Sequence, residues 1–409
     1  MNNNKNIEQS TLATFKKHRP SEYFSHKETE NAFYNHDKKV EYLYRFGLAL
    51  PPEYFYGKKL IDLGAGTGEH TVSLARWGAK CTLVEMNRDA LMVAKRVFSE
   101  FCNDEGHDFI NSSLYDIDLD TLCEKFDISH SRGVLTHVAD KREAFRILAS
   151  LAKPGGYVIY GDRNTFGGLQ EMLQRLVIFK FAGRNEDQII EISEKLFSND
   201  IDRSVAAVPR TREAIIFDRW VIRQQDDPSV SDVIDFFEEN GLNYVTSWPR
   251  VDFLGRGVST FSDPNNNEAL REGAFLVQNL WMILNQGEFE NIQSLEGKGI
   301  SEYTKMLGSV TLKLRNLNAD TKLNLKSLQL DFQKMRKLSN DAFGKPMLID
   351  RLNIFFSEVD SFLKSINDKK SLSEIREEID QYHILFKGFI GLRHVDYLAY
   401  KRRHTGDVK

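Results

Sequence analysis

Cysteine is scarce, with three in 409 residues. Cys81, Cys102 and Cys123 are an odd, scattered set, which argues against a disulfide framework and for a reducing compartment. They lack the spacing of a zinc site, so no metal is expected. No apolar run approaches the ~18–20 residues of a membrane span, so no membrane association is expected. The opening Met1-Asn2-Asn3-Asn4-Lys5 has no apolar signal core. A dominant charge is also missing: 55 Lys and Arg stand against 59 Asp and Glu, a net −4, which gives no general attraction to nucleic acid or membrane. There is no aromatic RNA-recognition motif and no internal repeat. These absences leave a cytoplasmic globular protein, and its length suggests two or three domains.

What is present begins with Lys59-Leu60-Ile61-Asp62-Leu63-Gly64-Ala65-Gly66-Thr67-Gly68-Glu69-His70. Leu60 to Leu63 reads as a buried parallel strand. Three glycines make a turn, and Val72, Leu74 and Ala75 open a helix at helical spacing. Such a turn lets a ligand approach the main chain, and the helix start favours an anion. A dinucleotide fingerprint needs glycine at the sixth position from Gly64, where Glu69 stands. A second strand, Lys80 to Val84, ends at Glu85. An acid about twenty residues beyond the glycines can hold both hydroxyls of a ribose. Ala90 to Phe101 reads as a helix and Phe109 to Ser112 as a third strand. Phe126 to Ser131 reads as a fourth. The Lys153-Pro154-Gly155-Gly156 turn precedes a fifth, Tyr157 to Tyr160.

Asp-x-Gly-x-Gly-x-Gly, the acid after the second strand, the segment Arg132 to Val138 and the Lys-Pro-Gly-Gly turn together resemble class I S-adenosylmethionine-dependent methyltransferases over roughly residues 28–250. The resemblance implies a doubly wound, Rossmann-like α/β fold with S-adenosylmethionine as cofactor. It places Asp62, Gly64, Ala65, Gly66, Gly68, Glu85, Met86, Ser113, Leu114 and Ser131 at the cofactor, with Asp62 facing its ammonium group. Many relatives carry an acid near the end of the third strand for the adenine amine. Ser112 and Ser113 stand there instead. His137 is the first candidate for a catalytic base and Asp162 the second; His137 can equally be a helix-start residue near solvent. Asn164, at a strand end, and Arg210 and Arg212, in a helical insertion at about 165–228, are candidate substrate contacts. A guanidinium fork suits a carboxylate or phosphate, and both arginines can equally pair with Glu213 and Asp218.

Residues 1–56 precede the first strand and are expected to form a helical lid segment, with a helical pattern from Glu28 to Leu50. The first twenty or so are polar and expected to be mobile. Tyr23, Phe24, His26, Tyr34, His36 and Tyr44 either line a lid over the cofactor or pack on the sheet. Ser229 to Asn240 reads as a helix capped by Ser229 or Ser231, and Asn243 to Pro249 as a strand. The polar stretch Asp263 to Asn267 marks a boundary between a methyltransferase domain, 57–263, and an all-helical C-terminal domain, 264–409. Helices are expected at 268–285, along one long helix from Val310 to Met335, at 348–363 and from Ser371 to Phe386, forming a bundle. Its modest basic excess and the end Lys401-Arg402-Arg403-His404 read as a solvated face and tail, or as a docking surface for a protein or RNA. The bundle core closes within the chain or against a second copy, so the protein is expected to be a monomer or homodimer. A chain ending near Asp263 is expected to stay folded and bind S-adenosylmethionine while losing or weakening activity on the true substrate. The substrate is expected to be a small or sugar-type molecule accepting methyl on oxygen or nitrogen, the alternative being RNA or protein recruited by the helices.

Overall fold

The structure is a computed structural model that describes residues 2–18, 30–102, 106–183, 185–207, 210–221, 227–251, 300–315, 324–343, 346–387 and 393–403. Seven strands form one sheet in the order β3-β2-β1-β4-β5-β7-β6. They are β1 (Lys59–Leu63), β2 (Lys80–Val84), β3 (Asp108–Ile110), β4 (Phe126–Arg132), β5 (Ala152–Arg163), β6 (Leu242–Trp248) and β7 (His394–Lys401). The first five are parallel, and β7 runs antiparallel between β5 and β6. β1 and β2 bury all but their first residue, which explains their near-continuous apolar sequence.

The helices are α1 (Asn2–His18), α2 (Glu30–Tyr42), α3 (Thr71–Arg76), α4 (Arg88–Phe101), α5 (Leu119–Leu122), α6 (Lys141–Leu151), α7 (Leu169–Ala182), α8 (Glu186–Ala207), α9 (Arg212–Ile216) and α10 (Val230–Glu239). After β6 come α11 (Ile300–Arg315), α12 (Leu325–Ala342), α13 (Pro346–Asn367) and α14 (Leu372–Gln381). Local chemistry sets several of their starts. The Asn87 side chain accepts the Asp89 N–H at 3.2 Å and starts α4, leaving Leu91, Ala94, Val97 and Phe98 on its buried face. Ser229 and Asp232 form a reciprocal capping box on α10, which selects Ser229 over Ser231, and Gly241 follows at φ 65°.

The structure departs from the sequence reading in three places. The polar N-terminus is a helix, α1. The expected long helix from Val310 to Met335 is two: α11 reaches Arg315, and α12 restarts where Asn324 accepts the Ser327 N–H at 3.1 Å. That restart carries Leu328, Phe332 and Met335 on its buried face. The described C-terminal residues form four helices between Ile300 and Gln381, as expected, but the last described segment is a strand. β7 alternates with partners on both sides: Tyr160 pairs with Tyr397 and Tyr244 with Ala399. A strand buried on both edges satisfies its backbone groups in the sheet, which a solvated tail would leave to water. Lys401 belongs to it, donating from Nζ to the Ala152 carbonyl at 2.7 Å.

The sheet therefore draws strands from both sides of Asp263. The C-terminal helices also share a single hydrophobic core with the insertion. Leu173, Val177 and Leu196 belong to the same buried cluster as Tyr303, Leu307, Phe332 and Phe355. The expected helix at 268–285, the turn at Asp263 to Asn267, and Tyr23, Phe24, His26 and His404 lie outside the described residues.

Candidate active site

A cavity of about 420 Å³ opens at the C-terminal ends of β1, β2, β4 and β5, the crevice where doubly wound sheets bind ligands. Asp62, Gly64, Ala65, Gly66, Glu85, Met86 and Leu114 line one part of it. Thr136, His137, Asp162, Arg163 and Arg210 line another. Antiparallel β7 starts where parallel β5 ends, so His394 pairs with Arg163 across the sheet and reaches the same cavity.

The glycine loop is shaped by what surrounds it. Gly64 has φ 73°, and a Cβ there would lie 2.8 Å from Val134 Cγ1. Gly68, at φ 68°, does not line the cavity. A Cβ on it would come within 3.0 Å of the Ala94 Cβ, so this glycine lets the loop pack on α4. The Gly66 N–H donates to Glu85 Oε2 at 2.9 Å and the Asn87 N–H to Oε1 at 2.7 Å. Both carboxylate oxygens are thereby fixed, and each keeps acceptor capacity for another donor. Burial raises the Glu85 carboxyl above its ordinary range, although those two N–H bonds pull the other way. Asn111 ties the end of β3 to this corner, donating to the Glu85 carbonyl at 2.8 Å.

Asp62 is buried at the foot of the loop. It accepts from Thr71 Oγ1 and from His130 Nδ1, the latter at 2.7 Å. His130 Nε2 lies 2.9 Å from the Tyr44 hydroxyl, which lies 3.1 Å from His70 Nε2. Register alone brings Asp62 beside His130, because β1 and β4 pair them directly. Burial holds His70 well below its ordinary range, with Arg132 and His130 adding to the effect. Burial also lowers His36 to about 4. Of the expected lid residues, Tyr44 is thus a buried bridge behind the loop and Tyr34 is half exposed.

Within the same N-terminal segment it is α1 that lines the cavity. Glu8, Thr11, Leu12 and Phe15 follow the i, i+3, i+4, i+7 rule and line the cavity from one helix face. Thr11 Oγ1 donates to the His137 carbonyl at 3.4 Å, and Phe15 meets the His137 ring edge-on at 5.6 Å. Ser113 donates to Glu8, so this serine anchors α1 and does not line the cavity; Ser112 does. That face spacing was visible in the sequence, but the polar residues around it masked it.

The acceptor end is built on charge pairs. Asp162 accepts from the Thr136 N–H at 2.9 Å, the Arg163 N–H at 2.9 Å and the Tyr160 hydroxyl at 3.3 Å. Arg163 binds Glu171 at 2.7 Å and Asp218 at 2.9 Å, and Arg210 shares Asp218 at 3.0 Å. Glu171 also pairs with Arg393. Burial alone would raise the Glu171 carboxyl, but Arg163, Arg393 and Arg219 outweigh it and hold it at about 2. Arg132 grips Asp396 with two bonds, 2.6 and 3.1 Å long. Besides Gly68 and Ser113, three more expected site residues lie elsewhere. Ser131 is fully buried and donates to the Leu63 carbonyl at 3.0 Å. Arg212 binds Glu194 at 2.8 Å and Asp202 on the surface. Asn164 turns inward and accepts the Phe166 and Gly167 N–H groups. His130, Arg132 and His394 escaped the sequence reading because each reaches the cavity by strand register; Arg163 is a strand-end candidate and Asp218 an expected partner of Arg210, and both line the cavity. Among the described residues, no group of three or more His, Cys, Asp or Glu side chains could hold a metal, and no helix is long and apolar enough to cross a membrane.

Residues 34–190 match a family model described as a methyltransferase domain. A ubiquinone biosynthesis O-methyltransferase of Erwinia tasmaniensis is 29% identical over 136 residues, 33% of this chain and 55% of that protein. A protein of the same name from Actinobacillus pleuropneumoniae is 31% identical over 112 residues, 27% of this chain and 47% of that one. The chain thus spans about half the length of these curated relatives. Among solved structures, magnesium protoporphyrin IX methyltransferase from Synechocystis, with bound S-adenosylmethionine, is 15% identical. That match covers 56% of this chain and 76% of that one at a TM-score of 0.32. The glycine loop and the carboxylate of Glu85 lie inside residues 34–190, the part of this chain that matches a methyltransferase domain.

Proposed function

We propose that the protein transfers the methyl group of S-adenosylmethionine to a hydroxyl or amine of a small molecule. The observation that carries this reading is the continuity of one cavity. It runs from Glu85 and the glycine loop to Asp162 and His137 under a single helical roof. Its volume lies in the ordinary range for small-molecule sites, about 300–1,000 Å³. The cofactor fits the residues present. Glu85 offers two oriented carboxylate oxygens for ribose hydroxyls, Met86 and Leu114 offer apolar surface for a base, and Asp62 offers negative charge for an ammonium. Gly64 keeps the loop clear where a side chain would collide with Val134.

When bound, S-adenosylmethionine supplies a methyl group on a sulfonium, already an excellent leaving group. The protein's part is alignment and exclusion of water. α1 closes the cavity, and His137, Asp162 and Arg210 border the acceptor. The names of the curated relatives favour oxygen as the accepting atom. The helices after β6 pack on the insertion that forms the acceptor end, so their role is to shape acceptor choice. Calorimetry with S-adenosylmethionine, followed by transfer of its labelled methyl to a panel of catechols, phenols and small amines, tests the reading. Failure to bind S-adenosylmethionine refutes it. Binding without transfer to the panel, joined to labelling of RNA or protein, would favour a macromolecular acceptor.

A further inference from the structure

Two imidazoles line the acceptor end of the cavity, and they are held differently. His137 packs edge-on against Phe15 beneath α1. His394 is fixed by a carboxylate: its Nε2 lies 3.1 Å from Asp396 Oδ1, and Asp396 is buried on β7 and gripped by Arg132 from β4. Burial would favour the neutral acid, but Arg132 and His394 outweigh it and hold Asp396 well below the carboxylate range. Asp396 is therefore ionised and can only accept. Neutral His394 must carry its proton on Nε2, which leaves a lone pair on Nδ1. The ring is about one-third exposed and borders the cavity. A solvated face or tail explains none of this, because β7 is an interior strand.

Resting on the methyltransferase reading above, we propose that His394 is the general base of the transfer, with Asp396 and Arg132 as the residues that position it. The acceptor's hydroxyl proton passes to His394 Nδ1. The oxygen pair so freed forms the bond to the donated methyl carbon, and the pair of the broken carbon–sulfur bond stays on sulfur. The imidazolium that results is stabilised by Asp396 through Nε2. Asp162 is the weaker candidate, since its carboxylate already accepts three hydrogen bonds. Arg132, Arg163, Arg210, Asp162, Asp218 and His137 line the same cavity, and Asp396 is the carboxylate bonded to the ring.

The test has two arms on the full-length protein. Nitrogen-15 histidine spectra of the wild type should show neutral His394 as the Nε2–H tautomer, and a neutral Nδ1–H tautomer overturns the proposal without any acceptor being known. In the second arm, methyl transfer to whichever catechol, phenol or amine of the panel is accepted is followed against pH for His394→Gln, Asp396→Asn and His137→Gln. His394→Gln should keep S-adenosylmethionine affinity and lose about 10²–10⁴-fold in kcat, with the acidic inflection of the kcat profile abolished. Asp396→Asn should move that inflection to lower pH, because the imidazolium loses its counter-charge. Retention of kcat by His394→Gln, or loss of the inflection in His137→Gln instead, overturns the proposal. Wild-type protein that fails to bind S-adenosylmethionine refutes the underlying reading rather than the assignment of the base.

Discussion

Glu85 shows how one side chain is prepared by its backbone neighbours. Two main-chain N–H groups orient its oxygens before any ligand arrives, while burial raises its pKa. Glu85→Ala should weaken S-adenosylmethionine binding by about 1–3 kcal/mol in calorimetry, the usual value of hydrogen bonds to an ionised partner. Unchanged affinity would remove Glu85 from the cofactor site. The raised pKa adds a pH dependence. Protonation turns one oxygen from acceptor to donor, so wild-type affinity should fall as pH is lowered through a range above that of an ordinary carboxylate. Glu85→Gln should lose most of that dependence. Gly64→Ala should also weaken binding, through a collision with Val134 and the strain of a positive φ, measured in the same titration.

At the scale of elements, the acceptor end is held by ion pairs that join α7, β5 and the segment leading into β7. Glu171 on α7 is buried among Arg163, Arg393 and Arg219. Glu171→Gln leaves those guanidiniums short of a counter-charge, and denaturant unfolding should show a loss of about 3–5 kcal/mol. The sign of the pH effect follows from the depressed pKa. The Glu171 contribution is complete above its ordinary value of 4.5 and is lost as pH falls toward about 2. The acid limb of the wild-type stability profile should therefore be shallower in Glu171→Gln. An identical limb would mean that other carboxylates govern acid unfolding.

For the whole molecule, the consequential feature is that the sheet closes with residues from the far end of the chain. A protein ending at residue 263 lacks β7, which leaves β5 and β6 with unpaired edges and the cavity without His394. It also strips the helices that share a core with α7 and α8. Such a truncation should fail to give a monodisperse, cooperatively melting protein by size exclusion and circular dichroism. A stable truncated protein that binds S-adenosylmethionine would show that β7 is dispensable to the fold.

The division between what sequence and tertiary structure decide follows from the range of the forces involved. Leu60 to Glu85 was legible because strand, glycine turn, helix and acid lie within one local unit, where apolar runs and backbone demands leave few alternatives. The Ser229 cap and the Gly241 stop were legible for the same reason. α1 was half legible: its apolar spacing is local, but only packing over the cavity shows why a polar helix forms there. The strand at 394–401 was not legible, because alternation in Val395, Tyr397 and Ala399 acquires meaning only between β5 and β6. The break between α11 and α12 was hidden by apolar spacing that runs on in step across it. The part of the cavity around the glycine loop and Glu85 was thus set by sequence that is contiguous, and it could be read. The acceptor half, with Asp218, Arg163, Arg132, Asp396 and His394 drawn from separate elements, was decided by strand register and buried charge pairing, which act between residues as far apart as Arg132 and Asp396.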